Sequence, residues 1–366
     1  MSSKRIHGIK PIMVIGVIFV TLLMGMVLGC QSSTQQTPGT TQPTEESTEA
    51  KSTETIELRL SHINSSIHPT HKALEKFAEE VSKRTDGRVK IVLYPSDTLN
   101  PPMETYNAVK NGLADIGRAP VGYSAAVMPL NKLFGDAMMG VPTATEAAKI
   151  WTEAYKNMPE LQQELEGMHV LWLNSTSPLS IGTTKKPIHK LEDFKGLILR
   201  FPPGLEPLAQ AWGASPINMP TGDIYVGLEK GTVDGFYGGS EMLEAMKLAE
   251  FTKYVHTNLS MVYGLSWLAM NQKVWDSLPA DVQQVFNDLG EWGQELLMES
   301  FDEGEMKARE FAKSEGCEFI DIEEAELQRI YEVSWPVFEQ IAANLEKQGK
   351  PANKVLDELK KLTSQK

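Results

Sequence analysis

The sequence predicts an α/β protein built as two lobes. Strand and helix patterns alternate along residues 56–117, alternate again along residues 170–236, and give way after Pro279 to a long helical pattern. The chain has 366 residues, of which 41% are apolar and 23% are charged. This composition is typical of globular proteins, and the length is sufficient for two domains with full hydrophobic cores.

The first lobe shows a β-α-β-α-β pattern. Apolar residues alternate with Glu57 and Arg59, as in a half-buried strand, and apolar positions then recur every three or four residues from Ala73 to Val81. The predicted strands are 56–60, 89–95 and 114–117, and the predicted helices are 73–81 and 103–112. Such alternation is typical of a lobe with a largely parallel sheet.

A similar alternation follows. It predicts strands at 170–173, 197–201, 233–236 and 265–271, and helices at 205–212, 222–230, 279–314 and 323–362, the last with a break at Pro336 and a stop at 349–351. We therefore predict lobe 1 at residues 56–176 with a return segment at about 265–300. We predict lobe 2 at residues 177–264, with C-terminal helices at about 301–366 packing across both lobes.

The charge balance excludes several classes of function. The formal net charge is -13, and no cluster of five or more Lys and Arg residues occurs, so nothing supports a nucleic-acid partner. Two cysteines, Cys30 and Cys317, exclude a disulfide framework and a cysteine-rich zinc site. An anion could be bound only by a local cationic site that acts against the overall negative charge.

The N-terminus has the features of a secretory signal. Lys4, Arg5 and Lys10 precede an apolar stretch at 11–29, which resembles a bacterial lipobox where it meets Cys30. A tract rich in Ser, Thr, Gln, Pro and Glu follows, and it lacks the residues to form a core. The alternative is a transmembrane helix, since about 18 apolar residues can just span a bilayer. We predict a signal peptide at 1–29, lipidation of Cys30 and a disordered linker at 30–55, so that the membrane is contacted only through the lipid anchor.

The sequence contains no enzyme signature. The common hydrolase, metalloprotease, nucleotide-binding and dinucleotide-binding motifs are missing. His68 and His71 lie three apart without a third ligand nearby, and we expect both at the surface. Asp234 is interpreted as a carboxylate that caps a turn, and Cys317 as a small buried apolar residue. We therefore predict no catalytic residue, no metal site and no cofactor.

Several segments, in the right order, resemble the substrate-binding proteins of TRAP transporters, a DctP-like family of extracytoplasmic solute receptors. The matching segments are 94–96 (YPS), 111–117 (NGLADIG), 190–200 (KLEDFKGLILR), 212–216 (WGASP), 223–228 (DIYVGL), 231–235 (GTVDG) and the junction at 275–279. The similarity covers about residues 56–362. It implies a periplasmic-binding-protein type II-like fold, with hinge strands and a long helix that spans both lobes.

The resemblance also implies a function. A receptor of this kind closes its lobes on a small organic anion and delivers it to the membrane subunits of a permease driven by an ion gradient. In the family, an arginine in the position of Arg200 pairs with the ligand carboxylate through both of its nitrogens. Two alternatives stay open, namely a receptor that feeds a sensor or chemoreceptor and a lipid-anchored enzyme on the same scaffold.

The chain departs from the family pattern at two places. The second arginine that many members carry is missing from 178–182, and Phe236, Tyr237 and Gly238 replace a Gln-Glu-Asn segment. Arg118 is a candidate substitute, because it follows a predicted strand whose carboxyl end would border the cleft.

An aromatic wall is a second candidate substitute, and it would suit a larger or aromatic carboxylate. For each ring, packing in the core is the alternative. The predicted ligand-binding residues, besides Arg200 and Arg118, are Phe201, Phe236, Tyr237, Tyr263, Trp267, Asn174 and His62.

Overall fold

Two mixed sheets organise the part of the chain that the structure describes. The structure is a computed structural model, and it describes residues 55–202, 204–262 and 264–364, without the side chain of Ser364. The predicted signal peptide, Cys30 and Tyr263 lie outside the described residues, as does nearly all of the predicted linker.

The first sheet, called sheet A, has five strands in the order β2-β1-β3-β10-β4. The strands are β1 (Ile56–His62), β2 (Val89–Tyr94), β3 (Ile116–Pro120), β4 (Met168–Asn174) and β10 (Ser266–Asn271). Strands β2, β1 and β3 are parallel, whereas β10 runs antiparallel to both of its neighbours. The chain therefore returns to sheet A to place β10 between β3 and β4.

The second sheet, called sheet B, has six strands in the order β11-β9-β5-β8-β6-β7. The strands are β5 (Leu179–Thr183), β6 (Ile198–Phe201), β7 (Ser215–Asn218), β8 (Gly235–Gly239), β9 (Tyr254–Met261) and β11 (Glu318–Phe319). Strand β6 is parallel to β7 and β8, and β5 is antiparallel to β8 and β9. The predicted α/β class is therefore confirmed, with mixed sheets in both halves.

Helices cover both sheets. They are α1 (Pro69–Arg84), α2 (Thr105–Lys110), α3 (Pro129–Asp136), α4 (Ala144–Asn157), α5 (Pro159–Gln163), α6 (Glu206–Trp212), α7 (Ile224–Glu229), α8 (Glu241–Ala245), α9 (Gln272–Ser277), α10 (Ala280–Ser314), α11 (Glu324–Glu346) and α12 (Ala352–Ser364). None of the helices within the described ranges combines the length and the hydrophobicity needed to cross a membrane.

The long helix α10 connects the cores of the two sheets. Phe286 packs with apolar side chains of sheet A, and Ala312 packs in a cluster with Phe236 and Val255 of sheet B. At its middle, α10 lies so close to β4 that a Cβ atom on Gly290 would come 2.9 Å from the carbonyl oxygen of Leu171. The glycine therefore permits the close approach of the helix to the edge strand.

One predicted feature of the C-terminal region is wrong. Helix α11 continues through Pro336 instead of breaking there. Leu327 and Ile330 before the proline, and Phe338 after it, are buried in one core cluster. Packing on both sides of Pro336 therefore outweighs the hydrogen bond that proline removes from a helix.

We expect Gly290→Ala to destabilise the protein by about 1–3 kcal/mol, because the new methyl group would meet a backbone carbonyl that cannot move freely. Gly304→Ala in the same helix is the matched control, since a Cβ atom there would have no neighbour within 4 Å. It should stabilise the protein by about 0.5–1 kcal/mol through helix propensity. Urea unfolding would measure both changes, and equal effects of the two substitutions would contradict the packing argument.

Candidate functional site

A buried arginine lies at the centre of β3 (Ile116–Pro120), so Arg118 is part of the strand and does not follow it as predicted. Arg118 is 2% exposed, and its Nη1 donates a hydrogen bond to Oδ1 of Asn64 over 2.9 Å. In the amide orientation that satisfies both of its groups, Asn174 accepts a hydrogen bond from Nη2 of Arg118 over 3.2 Å and donates one to the carbonyl of Ser266. The predicted residues Arg118 and Asn174 are therefore in direct contact.

The charge of Arg118 is not balanced by an acid. Among the described residues, no carboxylate forms an ion pair with Arg118, and its Nε has no hydrogen-bond partner. Burial lowers the pKa of the guanidinium to about 10, which still leaves it charged at neutral pH. A buried charge of this kind is costly unless an opposite charge reaches it.

Three histidines surround this arginine. His62 of β1 is the register partner of Arg118, and its Nε2 lies 3.0 Å from Nδ1 of His71. His68 caps α1, because its Nδ1 accepts a hydrogen bond from the backbone of Thr70. Burial is the main cause that lowers the pKa of His62 to about 3 and that of His68 to about 4, with the charge of Arg118 contributing to both.

The expectation that His68 and His71 lie at the surface is wrong for His71. His71 is 6% exposed, since α1 packs its first turn against β1, and His68 is half-buried. Asn64 is a member of the cluster that the sequence did not single out, and His68 and His71 were considered only as metal ligands and expected at the surface. Only the folding of α1 onto β1 brings them together, and no spacing in the sequence indicates it.

A second buried arginine lies on β6 of sheet B. Arg200 is 3% exposed, and its Nε donates to the carbonyl of Met219 over 3.2 Å. Its Nη2 donates to Oγ1 of Thr221 over 3.1 Å. These contacts fix the guanidinium against the segment that joins β7 to α7. Each sheet thus holds one buried arginine on a strand that has neighbours on both sides.

The predicted aromatic residues occupy different places. Phe201 and Tyr237 lie on the face of sheet B opposite to Arg200, with ring centroids 5.1 Å apart and with Trp212 of α6 beside both. The Tyr237 hydroxyl donates to the carbonyl of Leu259, and burial raises the pKa of Tyr237 well above its usual value. This packing favours the core alternative for these two rings, and their contact with a ligand stays a prediction.

The remaining predicted aromatics are also buried. Phe236 is the register partner of Arg200 across β6 and β8, so it shares the face of that arginine. Trp267 lies on the face of sheet A opposite to Arg118, and its ring makes an edge contact with Tyr106. Phe236 therefore shares the face of Arg200, but it also packs in the apolar cluster with Val255 and Ala312.

Two sizeable cavities lie elsewhere. One, of about 830 Å³, lies between β9 and the helices α11 and α12, and Asn258, Tyr331 and Trp335 are among its lining residues. Another, of about 550 Å³, lies between α4, β4 and α10. Neither Arg118 nor Arg200 lines either cavity. Within the described ranges, no group of three or more His, Cys, Asp or Glu side chains is arranged to hold a metal ion.

Comparison with known proteins shows a close match to one family. A sequence model of the bacterial extracellular solute-binding proteins, family 7 (DctP), matches residues 60–345. The chain is 27% identical to the C4-dicarboxylate-binding periplasmic protein DctP of Rhodobacter capsulatus, an alignment that covers 80% of this chain and 88% of the relative.

Solved structures show the same architecture. A TRAP periplasmic solute-binding protein from Desulfovibrio salexigens is 29% identical, with a TM-score of 0.77 and coverage of 84% of this chain and 95% of its own. A TRAP solute-binding protein from Rhodoferax ferrireducens, in complex with copurified benzoate, is 24% identical, with a TM-score of 0.70 and coverage of 85% and 98%. At 24% identity, the comparison with the benzoate complex supports only a shared fold.

We expect the stability of the protein to fall as the pH falls from about 6.5 towards 4, in part because of His62. Its pKa in the folded state is about 3, below the ordinary value of 6.5, so only the unfolded state takes up the proton in this range. In His62→Gln the free energy of unfolding should fall less steeply with decreasing pH, by up to about 1.4 kcal/mol per pH unit. Urea unfolding at several pH values would measure the slopes. The wild-type protein and His62→Gln should show the same slope of stability against pH above pH 7 but different slopes below it. Identical slopes at every pH would contradict the low pKa of His62.

Proposed function

Because the chain belongs to the bacterial extracellular solute-binding proteins of family 7, we propose that it captures an organic acid and delivers it to the membrane subunits of a TRAP-type permease. Its two sheets would form the two lobes, which close on the ligand by a hinge motion. The chain between β4 and β5 and the chain between β9 and β10 link the sheets, as does α10.

The uncompensated charge of Arg118 is the observation that carries this proposal. A buried guanidinium without a carboxylate partner is unfavourable by several kcal/mol, about the range that a bound anion could recover. Asn64 and Asn174 use two of its five N–H donors, so three donors remain for a ligand. A carboxylate ligand would supply both the missing negative charge and the missing acceptors.

Arg200 would supply the second cationic contact. It lies on the other sheet, and its guanidinium is held by the segment at 219–221, which restricts its orientation. A planar, oriented guanidinium suits a carboxylate, which has the same fork geometry. Closure of the lobes would place the ligand between Arg118 on sheet A and Arg200 on sheet B, and the exclusion of water would strengthen both contacts.

The body of the ligand is proposed to be apolar or aromatic in part. The relative from Rhodobacter capsulatus is named for binding C4-dicarboxylates, and the structure from Rhodoferax ferrireducens contains benzoate. Phe236, which shares the face of Arg200 and packs in the cluster with Val255 and Ala312, is the described aromatic residue proposed to contact such a ligand. An aliphatic diacid and an aromatic monoacid are therefore the two types to compare.

A lipid anchor is proposed to hold the protein at the outer face of the cell membrane. The apolar stretch at 11–29 ends at Cys30, and the polar tract that follows would act as a tether long enough to let the receptor reach the permease. The name of the family, extracellular solute-binding proteins, supports this location.

We expect Arg118→Leu to weaken the binding of organic acids by about 30-fold or more, because the ligand charge would lose a buried partner. The ligand-free protein should lose little stability, since the substitution also removes an uncompensated buried charge. Isothermal titration calorimetry and thermal unfolding would measure the two effects. Arg88→Leu is the control, because that arginine pairs with Asp281 on the surface and should leave the affinity unchanged. Unchanged affinity in Arg118→Leu would contradict the assignment.

Arg200→Lys should reduce the affinity for the same ligands by about tenfold or more while the protein still folds. Lysine keeps the charge but cannot present two parallel N–H donors. The change should appear for every carboxylate that binds, whatever its body. A screen of thermal shifts with aliphatic and aromatic acids, followed by calorimetry, would test this. Full affinity in the lysine variant would show that Arg200 does not contact the carboxylate.

Cys30→Ser should release the full-length protein from membranes when it is expressed in a bacterium. The wild-type chain should be recovered in the membrane fraction and should incorporate labelled fatty acid, whereas the variant should do neither. Cys317→Ser is the control, since that thiol is buried in the folded part. Membrane association that persists without fatty-acid labelling would support a transmembrane segment instead.

A further inference from the structure

Two buried polar atoms without partners belong to neighbouring residues of the parallel strands β1 and β3. They are Nδ1 of His62 and Nε of Arg118, neither of which has a hydrogen-bond partner among the described residues. His62 and Arg118 are register partners in the parallel β1–β3 pair, so their side chains leave the sheet on the same face. Their residues are 0% and 2% exposed.

Hydrogen bonds from Glu75 through His71 determine that Nδ1 of His62 is an acceptor. Nε2 of His71 lies 3.1 Å from Oε1 of Glu75, and a carboxylate can only accept, so this nitrogen of His71 carries the hydrogen. With one hydrogen on each ring, Nδ1 of His71 then accepts the hydrogen on Nε2 of His62 over 3.0 Å. Nδ1 of His62 is left as an acceptor with an unused lone pair.

The unused atom of Arg118 is a donor. Nε of Arg118 carries a hydrogen and can only donate. The two unused atoms are therefore an acceptor and a donor on residues that are register partners in adjacent strands. A carboxylate can accept from Arg118, but it has no hydrogen to donate to His62. A hydroxyl group can do both at once, because it donates one hydrogen bond and accepts others.

We propose that His62 is a specificity-determining residue and that the ligand is an organic acid bearing a hydroxyl group, which donates to Nδ1 of His62 and accepts from Nε of Arg118. This inference rests on the proposed function and adds the class of acid. Glu75 and His71 are positioning residues, since they act through His62. The remaining N–H groups of Arg118 stay available to the carboxylate of the same ligand.

The location of the cluster agrees with this role. In open α/β sheets, ligands bind beyond the carboxyl ends of the parallel strands. His62 is the last residue of β1, and Arg118 is its register partner, two residues before the end of β3. Asn64, which accepts a hydrogen bond from Arg118, and His68 are only partly buried, so the cluster extends towards the surface on the segment between β1 and α1. The low pKa of His62 keeps the ring neutral at physiological pH, as an acceptor must be.

The test compares acids that differ by one hydroxyl group. Calorimetry with the mature protein would use malate against succinate, mandelate against phenylacetate, and 3-hydroxybenzoate against benzoate. At least one hydroxylated acid should bind at least about 30-fold more tightly than the acid without the hydroxyl group in the same pair. A site built to pair a hydroxyl group rejects an analogue that lacks it. In His62→Phe this preference should fall to about threefold or less, while the affinity for the acid without the hydroxyl changes little. His189→Phe, at an exposed position, should keep the preference.

A second variant and a second measurement cover the case in which His62→Phe does not fold. Glu75→Leu replaces a side chain that is 53% exposed and removes the acceptor that fixes the histidine hydrogens, so the preference should weaken without loss of folding. Nitrogen NMR of the wild-type protein should show His62 with the hydrogen on Nε2. Its Nδ1 resonance should shift when the hydroxylated acid is added and not when its partner is added.

The outcomes separate this inference from the proposed function. If acids bind but no hydroxylated member is preferred, or if the preference persists in His62→Phe, the role of His62 is wrong and the receptor function stands. An Nδ1 resonance that stays unchanged by the preferred acid overturns the role as well, and would mean that a structural water satisfies both atoms. If no acid of any pair binds, the organic-acid function itself is overturned.

Discussion

The buried guanidinium of Arg118 imposes the main physical constraint on the site. A charge inside a protein needs hydrogen bonds as well as an opposite charge, and the described part of the chain supplies Arg118 with hydrogen bonds but with no ion pair. Asn64 and Asn174 are amides, so they satisfy N–H donors without neutralising the charge. Had either position carried a carboxylate, an internal ion pair would compete with any anionic ligand. The neutral amides therefore preserve a positive charge that an external anion can use.

The same logic extends to the histidines beside this arginine. A protonated imidazole next to Arg118 would add a second buried positive charge, and burial together with the arginine keeps His62 neutral instead. A neutral ring still needs its hydrogens ordered, and the contacts from Glu75 through His71 to His62 do this from outside the cluster. The acid that orders the chain is half exposed, so it orients the rings from the surface without placing a carboxylate against the arginine.

The sequence predicted local elements better than the contacts between them. The second strand was predicted at 89–95 and lies at Val89–Tyr94, because its alternating apolar residues and its proline are local signals. Strand β5 (Leu179–Thr183) was missed, because it holds only two large apolar residues, Leu179 and Ile181, although all five of its residues are buried. Arg200 could be chosen through the family resemblance, and Arg118 because it follows a predicted strand. His71 could not be chosen, because its contact with His62 exists only when α1 packs on β1.

The net charge of -13 constrains how such a receptor can bind an anion. Charges on the surface are screened by salt beyond about 8–10 Å, so the acidic surface acts on a free anion only at short range. Where water is excluded, the nearest charges dominate. Arg118 and Arg200 are both buried and donate hydrogen bonds to neutral groups. An acidic surface is also repelled by anionic lipid headgroups. A receptor tethered to a membrane would therefore stay away from the lipid surface, and the two arginines would remain available to the solute.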